Sequence, residues 1–397
     1  MTTGLRAGAS AYASSRRSLG SRVIDRDSPL RKLDWILLLA VGGLLVMGAL
    51  LVWSATRQRQ IDVGGDPNAF LRKHLINIVL GLALGAMTAL FDYRSLRAYA
   101  PIVYVVSVLG LLAVLTPGIG KTINGSHSWI LLPAGFSVQP SEFAKVALCV
   151  ILPMLLAERR DAEDEPRLSD IGIALAVAAV PAGLIMLQPD LGTTIVIGFI
   201  VIGVLAVANT PTRWMAALIG LGVLGAAAAV KLGVLAQYQI DRFAAFADPT
   251  RDPLGAGYNV TQARIAIGSG GLLGKGLFQG SQTNGKFVPE QQTDFVFTVA
   301  GEELGFIGAG LLIVLLGIVL WRAMRIALRA EDLFGTLVAT GIVCWFTFQA
   351  FENIGMALGI MPVTGVPLPL VSYGGTSMFA TLMGVGLLQN VHMRRYA

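Results

Sequence analysis

Charged residues, cysteines and histidines are scarce in this sequence. Only 14% of its 397 residues are Asp, Glu, Lys or Arg, whereas about 25% are charged in a typical soluble domain. Together with 54% hydrophobic residues and a mean hydropathy of +0.69, this scarcity excludes a soluble globular protein. The two cysteines and three histidines lie far apart, which argues against a disulfide framework and a Cys/His zinc site.

Long apolar runs take the place of the missing charges. A run of about 20 apolar residues is long enough to cross a bilayer as a helix. Ten such runs occur, at residues 35–53, 75–91, 100–116, 142–157, 171–187, 192–208, 213–235, 295–321, 334–360 and 374–390. We therefore predict an all-α fold, a polytopic integral membrane protein with about ten transmembrane helices.

Polar segments divide the chain around these runs. We expect residues 1–34 to form a disordered basic tail, 35–390 to form the membrane domain and 391–397 to form a short second tail. The first run is too long for the apolar core of a cleaved signal peptide, so it is expected to remain as helix 1. A long polar loop, 236–294, lies between helices 7 and 8.

The basic residues predict the orientation. With this helix order, 18 Lys and Arg residues fall on the side of the two termini and 10 on the other side. The positive-inside rule then places both termini in the cytoplasm and the loop 236–294 outside. Four loops of unusual composition share this outer face: 117–141, 188–191, 236–294 and 361–373. ATP is absent there, so any synthesis at this face must use a pre-activated substrate.

Two outer helices begin with Gln-Pro followed by an acid. Glu142 lies in the first turn of one, with Lys145 one turn on, and Asp190 precedes the other. Proline and an acid both suit a helix start, so a capping or ion-pair role explains each motif separately. Their occurrence together on one face predicts a lined cavity, because charges at the lip of a membrane helix need water or partners.

The long loop is rich in candidates for phosphate contact. Its basic residues are Arg242, Arg251, Arg264, Lys275 and Lys286. The glycines of 268–271 and 274–276 can bring backbone N–H groups close to an anion, although neither run matches a P-loop. The apolar stretch 260–273 between the charges is a candidate amphipathic segment on the membrane surface.

The same loop ends in Glu290-Gln-Gln-Thr-Asp294, directly before the eighth apolar run. Partial desolvation of Asp294 at this boundary would raise its pKa and make it a better proton acceptor. The alternative is that Asp294 only caps the next helix. We expect Glu302 or Glu303, inside the run, to serve helix packing. The proline-rich loop that contains Ser372 either walls a groove or is a re-entrant cap without chemistry.

Taken together, these motifs resemble the SEDS family (shape, elongation, division and sporulation), the RodA/FtsW group of bacterial membrane proteins. The matching stretches are 124–145, 188–193, 242–306 and 362–375, and the ten-helix layout fits nearly the whole chain. The segment 257–262 and the Gly274-Lys275-Gly276 run are more like the RodA (elongation) branch than the FtsW (division) branch.

The resemblance implies a peptidoglycan glycosyltransferase of the bacterial cytoplasmic membrane that polymerises lipid II into glycan strands at the outer leaflet. It implies that Asp294 is the catalytic carboxylate and that Trp129, Glu142 and Lys145 belong to the site. Ser128 and Gln292 differ from the basic residue and the His found at those positions in many members. The predicted substrate-binding residues are Trp129, Glu142, Lys145, Asp190, Arg242, Lys275, Glu290 and Ser372.

The implied chemistry is an inverting transfer. Asp294 would take a proton from the acceptor sugar 4-hydroxyl while the pyrophosphate of the donor departs. Lys and Arg side chains, or a divalent cation (Mg²⁺ or Mn²⁺) held by carboxylates, would neutralise the pyrophosphate. No organic cofactor and no nucleic acid are expected. The implied partners are a class B penicillin-binding protein and other membrane proteins of the elongation complex.

Three alternatives stay open at this point. A flippase or transporter for a lipid-linked precursor also needs charged residues in its helices, but its acids should lie at the midplane. A non-catalytic scaffold would use the long loop as a docking surface. The third alternative is an FtsW-type division polymerase.

Overall fold

The computed structural model describes residues 32–123, 126–131, 137–158, 166–233, 237–248 and 255–395. Its helices are α1 (Trp35–Asp62), α2 (Ala69–Leu90), α3 (Tyr93–Leu115), α4 (Pro140–Glu158), α5 (Leu168–Met186), α6 (Leu191–Val207), α7 (Thr212–Lys231), α8 (Gln237–Ala247), α9 (Ala256–Ser269), α10 (Ser281–Asn284), α11 (Val296–Glu303), α12 (Gly305–Leu328), α13 (Leu333–Leu358) and α14 (Gly375–Arg394). Most of the expected tail 1–34 and the last two residues lie outside the described ranges.

The predicted all-α membrane fold with about ten transmembrane helices is confirmed in outline. Eight of the described helices, α1–α5, α7, α12 and α13, are long and apolar enough to cross a membrane. The shorter α6, with 17 residues, and the more polar α14 occupy the positions of the remaining two predicted spans. The helices α4 and α13 lie at the centre and are buried over most of their length, whereas α7 lies at the edge.

Several predicted boundaries are wrong, among them the start of α2, which lies at Ala69 instead of residue 75. Helix α1 continues past Trp53 to Asp62, because the polar residues after Trp53 have good helix propensity. The predicted span 295–321 is two helices, α11 and α12, which meet at Gly305. Gly305 has a φ of +67°, and a Cβ there would lie 2.2 Å from the Gly274 nitrogen. The break therefore lets the loop of Gly274 pack against the helix junction.

A small antiparallel sheet adds to the all-α prediction. Its strands, in spatial order, are β1 (Gly120–Ile123), β2 (Ser126–Leu131) and β3 (Ser137–Val138). The Ser126 hydroxyl donates to the carbonyl of Gln188 at 2.9 Å. This contact holds β2 beside the turn that leads to Asp190, so two of the predicted outer motifs meet.

The long loop is largely helical. Helix α9 packs against α11 and α13, with Val260, Ala263 and Ala266 buried in the contact. Thus one face of the predicted amphipathic segment 260–273 is covered by protein, while Ile265, Leu272 and Leu273 remain exposed. The N–H groups of Lys275 and Gly276 donate to the carbonyls of Glu302 and Glu303, both at 3.0 Å. These N–H groups are therefore occupied by α11 and do not form the anion cradle expected from the glycines.

Candidate active site

The four loops that were predicted to share one face, together with neighbouring helix ends, surround a cavity of about 530 Å³. The start of α2, strand β2, the first turns of α4 and α6, helix α8 and the loop 362–374 contribute to its wall. The polar and charged residues that line it include Lys73, Asn77, Ser128, Gln139, Glu142, Asp190, Thr193, Gln239, Arg242, Glu290, Gln292, Thr293, Asp294 and Tyr373. The loops predicted to share the outer face thus share one cavity.

Six of the nine predicted site residues line this cavity. They are Trp129, Glu142, Asp190, Arg242, Glu290 and Asp294. The other three, Lys145, Lys275 and Ser372, lie outside its lining and bind other parts of the protein, as described below. Their predicted roles in substrate binding remain predictions without a contact that supports them.

Asp294 lies on a tight turn that ends the long loop. The backbone N–H groups of Thr293, Asp294 and Phe295 all donate to the carbonyl of Glu290, at 3.2, 3.0 and 3.3 Å. The N-cap of α11 is Phe295, without a side-chain capping bond, so Asp294 is not the helix cap of the alternative interpretation. Its side chain lines the cavity instead.

Hydrogen bonds from helix α13 and from the loop 362–374 hold this turn in place. The buried amide of Asn353 donates to the carbonyls of Asp294 and Val366, both at 2.8 Å. Ser372 donates to the carbonyl of Thr293 at 2.5 Å and accepts from the N–H of Leu368 at 2.9 Å. Ser372 therefore connects the turn to the loop 362–374, which makes it part of the support of Asp294.

Two charged side chains, those of Asp294 and Arg242, lie close to Gly365. A Cβ on Gly365 would lie 3.3 Å from Asp294 Oδ2 and 3.9 Å from Arg242 Nη1. The carboxylate and the guanidinium therefore both approach the same point of the cavity wall. Gly365 has a φ of +77°, which favours glycine. The absence of a side chain at Gly365 thus leaves room in the cavity beside Asp294 and Arg242.

Burial raises the pKa of Asp294 to about 6, with a smaller contribution from the charge of Glu290. Arg242 and the neighbouring Thr293 hydroxyl oppose this rise, and Asp190 adds to it. The residue is partly accessible from the cavity, but protein atoms surround it closely. A carboxylate with a pKa near neutrality is suited to accept a proton in a reaction.

Asp190 is both a helix cap and a cavity residue. Its carboxylate accepts from the backbone N–H of Thr193 at 3.0 Å and from the Thr193 hydroxyl at 2.8 Å. Gln139 also donates to it, at 3.1 Å. The capping role and the cavity role, which the sequence left as alternatives, therefore occur together.

Glu142 and Lys145 form a buried ion pair. Lys145 Nζ lies 2.7 Å from Glu142 Oε1 and donates to Gln349 Oε1 at 3.2 Å. The Gln349 amide in turn donates to the carbonyl of Pro367 at 2.7 Å. Lys145 is thus an internal partner of Glu142, whereas Glu142 itself reaches the cavity, and its Oε2 has no hydrogen-bond partner among the described residues.

Lys275 is held by Glu302 at 2.9 Å and by the Ser281 hydroxyl at 2.8 Å. Glu302 also accepts from the N–H groups of Gln282 and Thr283 and from the Thr283 hydroxyl. Glu303 accepts from the Ser54 hydroxyl at 2.7 Å. Both acids of the eighth apolar run therefore hold the long loop and α1 against α11, in line with the expected packing role.

Sequence reasoning missed Lys73, Gln139, Gln239 and Tyr373 as cavity residues. Lys73 was counted among the basic residues of an outer loop, but α2 begins at Ala69 and places Lys73 in its second turn, at the cavity. Tyr373 lies within a motif of the resemblance, and its ring packs near those of Phe70 and His74. The available signal in the sequence was the position of Lys73, two residues before the predicted start of the second apolar run.

The residues within the described ranges contain no group of three or more His, Cys, Asp or Glu side chains arranged to hold a metal ion. The carboxylates of the cavity thus do not form a ready-made metal site. The divalent cation stays a prediction.

Known proteins resemble the chain over almost its whole length. The family model for FtsW, RodA and SpoVE, described as cell cycle protein, matches residues 34–397. Peptidoglycan glycosyltransferase MrdB of Escherichia coli (strain K12) is 37% identical over 381 residues, which cover 93% of this chain and 98% of that protein.

Two solved structures have the same fold. A chain of a peptidoglycan synthase complex, solved to describe the structural coordination of polymerization and crosslinking, matches with a TM-score of 0.74 and 33% identity, over 92% of this chain and 98% of that chain. The rod shape determining protein RodA of Thermus thermophilus matches with a TM-score of 0.67 and 32% identity, over 92% and 98%.

Proposed function

The chain belongs to the FtsW/RodA/SpoVE family, and from this membership we propose that it is a peptidoglycan glycosyltransferase that polymerises lipid II into glycan strands. The observation that carries the proposal is Asp294: a carboxylate with a pKa of about 6 faces a cavity that also contains cationic side chains. Such a group can accept a proton at the pH of the cell exterior.

In the proposed reaction, Asp294 takes the proton of the acceptor 4-hydroxyl while the hydroxyl oxygen bonds to the anomeric carbon of the donor. The bond between that carbon and the pyrophosphate breaks with inversion, and its electron pair leaves with the pyrophosphate. The exchange of the activated glycosyl pyrophosphate for a glycosidic bond releases free energy, so no nucleotide is required. The proton ends on Asp294 and is then lost to water.

Arg242 and Lys73 are the proposed partners of the pyrophosphate. Both line the cavity, and Arg242 approaches the same wall as Asp294. Fixed cations stabilise charge that develops on a leaving group. Lys73 comes from α2 and thus offers a second cation, on a different element from Arg242. Trp129 on β2 would complete the wall as a surface for a sugar ring.

Orientation and partners follow the same proposal. The distribution of basic residues supports cytoplasmic termini and a cavity that opens at the outer leaflet, where lipid II is presented. The match to a chain of a peptidoglycan synthase complex supports a class B penicillin-binding protein as partner. The RodA-like motifs favour a role in cell elongation, together with other membrane proteins of the elongation complex.

The test is glycan polymerisation from lipid II by the purified protein, with and without its class B penicillin-binding partner. We expect strands from the wild type and from Asp62→Asn, a matched control on an exposed ion pair, but none from Asp294→Asn. Strands from Asp294→Asn at the wild-type rate would remove Asp294 from catalysis. The absence of strands from a folded, partner-bound wild type would favour a flippase or scaffold.

A further inference from the structure

Glu290 and Asp294 form a carboxylate pair on one turn. Glu290 has a φ of +51°, a conformation that side-chain-bearing residues rarely adopt. In this conformation its carbonyl accepts the three N–H groups of the turn, including that of Asp294. Both side chains then line the same cavity. The unusual backbone therefore places a second acid beside the proposed base.

The hydroxyl of Thr293 lies between the two acids. Its oxygen lies 3.2 Å from the carbonyl oxygen of Glu290 and 3.3 Å from Glu290 Oε2, and as a neighbouring donor it also lowers the pKa of Asp294. A hydroxyl has a single proton and donates it to one acceptor at a time. The two carboxylates are thus linked through one shared donor.

The donors are distributed unequally between the acids. Gln292 Nε2 donates to Glu290 Oε2 at 3.2 Å, in addition to the contact from Thr293. The N–H of Tyr373 holds the carbonyl of Gln292 at 2.8 Å, which fixes this segment. For Asp294, Thr293 and Arg242 favour the charged form, but burial, Glu290 and Asp190 disfavour it and raise its pKa. Two neighbouring carboxylates with such different surroundings take different roles in acid–base chemistry.

The charged groups that shift the pKa of Asp294 come from three elements, while Lys73 of α2 and Glu142 of α4 line the same cavity. Glu290 lies on its own turn, Arg242 approaches from α8, and Asp190 faces it from the start of α6. Asn353 of α13 contacts only its carbonyl, and Gly365 brings no charge. Among these, Glu290 makes the largest electrostatic contribution in favour of a protonated Asp294. Substituting Glu290 therefore isolates that contribution.

We propose that Glu290 is a positioning residue whose negative charge, linked to Asp294 through the Thr293 hydroxyl, keeps Asp294 a base strong enough to take the acceptor's proton. This inference rests on the proposed function and replaces the expectation that Glu290 binds substrate. During the transfer, the O–H bond of the acceptor breaks and an O–H bond forms on Asp294. Glu290 undergoes no covalent change, but the repulsion between the two acids is relieved as Asp294 is neutralised. The charge of Glu290 thus favours the transition state over the ground state.

The experiment is the pH dependence of kcat/KM for lipid II polymerisation by the full-length protein with its partner. The wild type should lose activity with decreasing pH, with a midpoint near 6. Glu290→Gln should move this midpoint down by about one pH unit and reduce the rate at pH 8 several-fold, because Asp294 becomes a weaker base. Glu290→Asp, which restores the charge, should return the midpoint towards that of the wild type.

A second variant tests the opposite direction. Thr293→Val removes the hydroxyl but keeps both carboxylates, so the charged form of Asp294 loses a hydrogen bond and the midpoint should rise. Glu331→Gln, on the exposed turn between α12 and α13, is the matched control and should leave the profile unchanged. If Glu290→Gln does not fold, Glu290→Met, which also lacks the charge and has a similar length, takes its place and should lower the midpoint in the same way.

The inference fails if Glu290→Gln lowers the rate equally at every pH, because a substrate ligand or a purely structural residue would behave in that way. It also fails if the Thr293→Val midpoint does not rise. These outcomes leave the proposed function intact as long as the wild type is active and Asp294→Asn is inactive. An inactive wild type, or an active Asp294→Asn, would instead overturn the proposed function.

Discussion

Asp294 lies just before the short helix α11 and Glu302 lies in its last turn, yet the surroundings of the two acids differ completely. Glu302 is fully buried and accepts hydrogen bonds from Lys275, Gln282 and Thr283 at 2.8 to 2.9 Å. Asp294 faces a cavity, and burial together with a neighbouring acid raises its pKa. The first acid is satisfied by the protein, whereas the second is left reactive.

This contrast separates structural from functional acids in a membrane protein. A buried carboxylate is tolerated only when donors or a cation compensate its charge. Asp34, at the opposite end of the molecule from Asp294, follows the pattern of Glu302: Arg322 donates to its carboxylate from Nε and Nη2, and Asp34 caps α1. An acid with few donors beside a cavity is the exception, and such exceptions are typical of active sites.

The largest effect on stability is expected at Glu302. Glu302→Gln replaces an acceptor of several hydrogen bonds by a group that also carries N–H donors, and it leaves Lys275 without its anionic partner. We expect a loss of about 3 kcal/mol in the free energy of unfolding. Thermal unfolding in detergent measures it. Equal stability of the variant and the wild type would contradict a structural role for Glu302 and thus the proposed difference from Asp294.

An intermediate effect is expected at Gly365. Adding one methyl group there tests whether Asp294, unlike Glu302, needs open space beside it. Gly365→Ala forces a side chain into a left-handed backbone, at a cost of about 1 kcal/mol. It also crowds Asp294, so we expect roughly a tenfold loss of polymerisation. Gly310→Ala on α12, where a Cβ meets no atom within 4 Å, is the control. Equal activities of the two variants would show that the space beside Asp294 is not needed.

The smallest effect is expected at Lys286, a candidate phosphate contact in the sequence. It pairs with Asp62 at 2.7 Å, and both side chains are more than 40% exposed. Surface pairs contribute about 0–1 kcal/mol. Lys286→Ala should therefore change neither stability nor polymerisation measurably. A large loss of activity would assign Lys286 to a substrate site outside the described cavity.

The sequence predicted the helices better than the contacts. Long apolar runs define membrane helices directly, and the position of Asp294 at the end of a loop before such a run indicated a reactive acid. The sheet was missed because its strands have two to six residues and lack a clear alternation. Charge counting gave a common face for the four outer loops, and the cavity brings residues of all four together.

Partners distant in sequence could not be predicted. Lys275 looked like a phosphate contact, but the loop folds back on α11 and pairs it with Glu302. Lys145 is buried and donates a hydrogen bond to Gln349 of α13, which lies far from it in the sequence. Lys73 was overlooked because the start of α2 was predicted at residue 75, which left Lys73 in a loop. In each case the assignment depends on tertiary packing, which local motifs do not encode.

The most direct test of Asp294 as the base measures lipid II binding and turnover on one preparation of Asp294→Asn. A group that acts only in the transition state should leave Kd within about twofold of the wild-type value. Turnover should fall by roughly 10²–10⁴-fold. A Kd weakened as strongly as turnover would contradict a catalytic role, because Asp294 would then contribute only to binding.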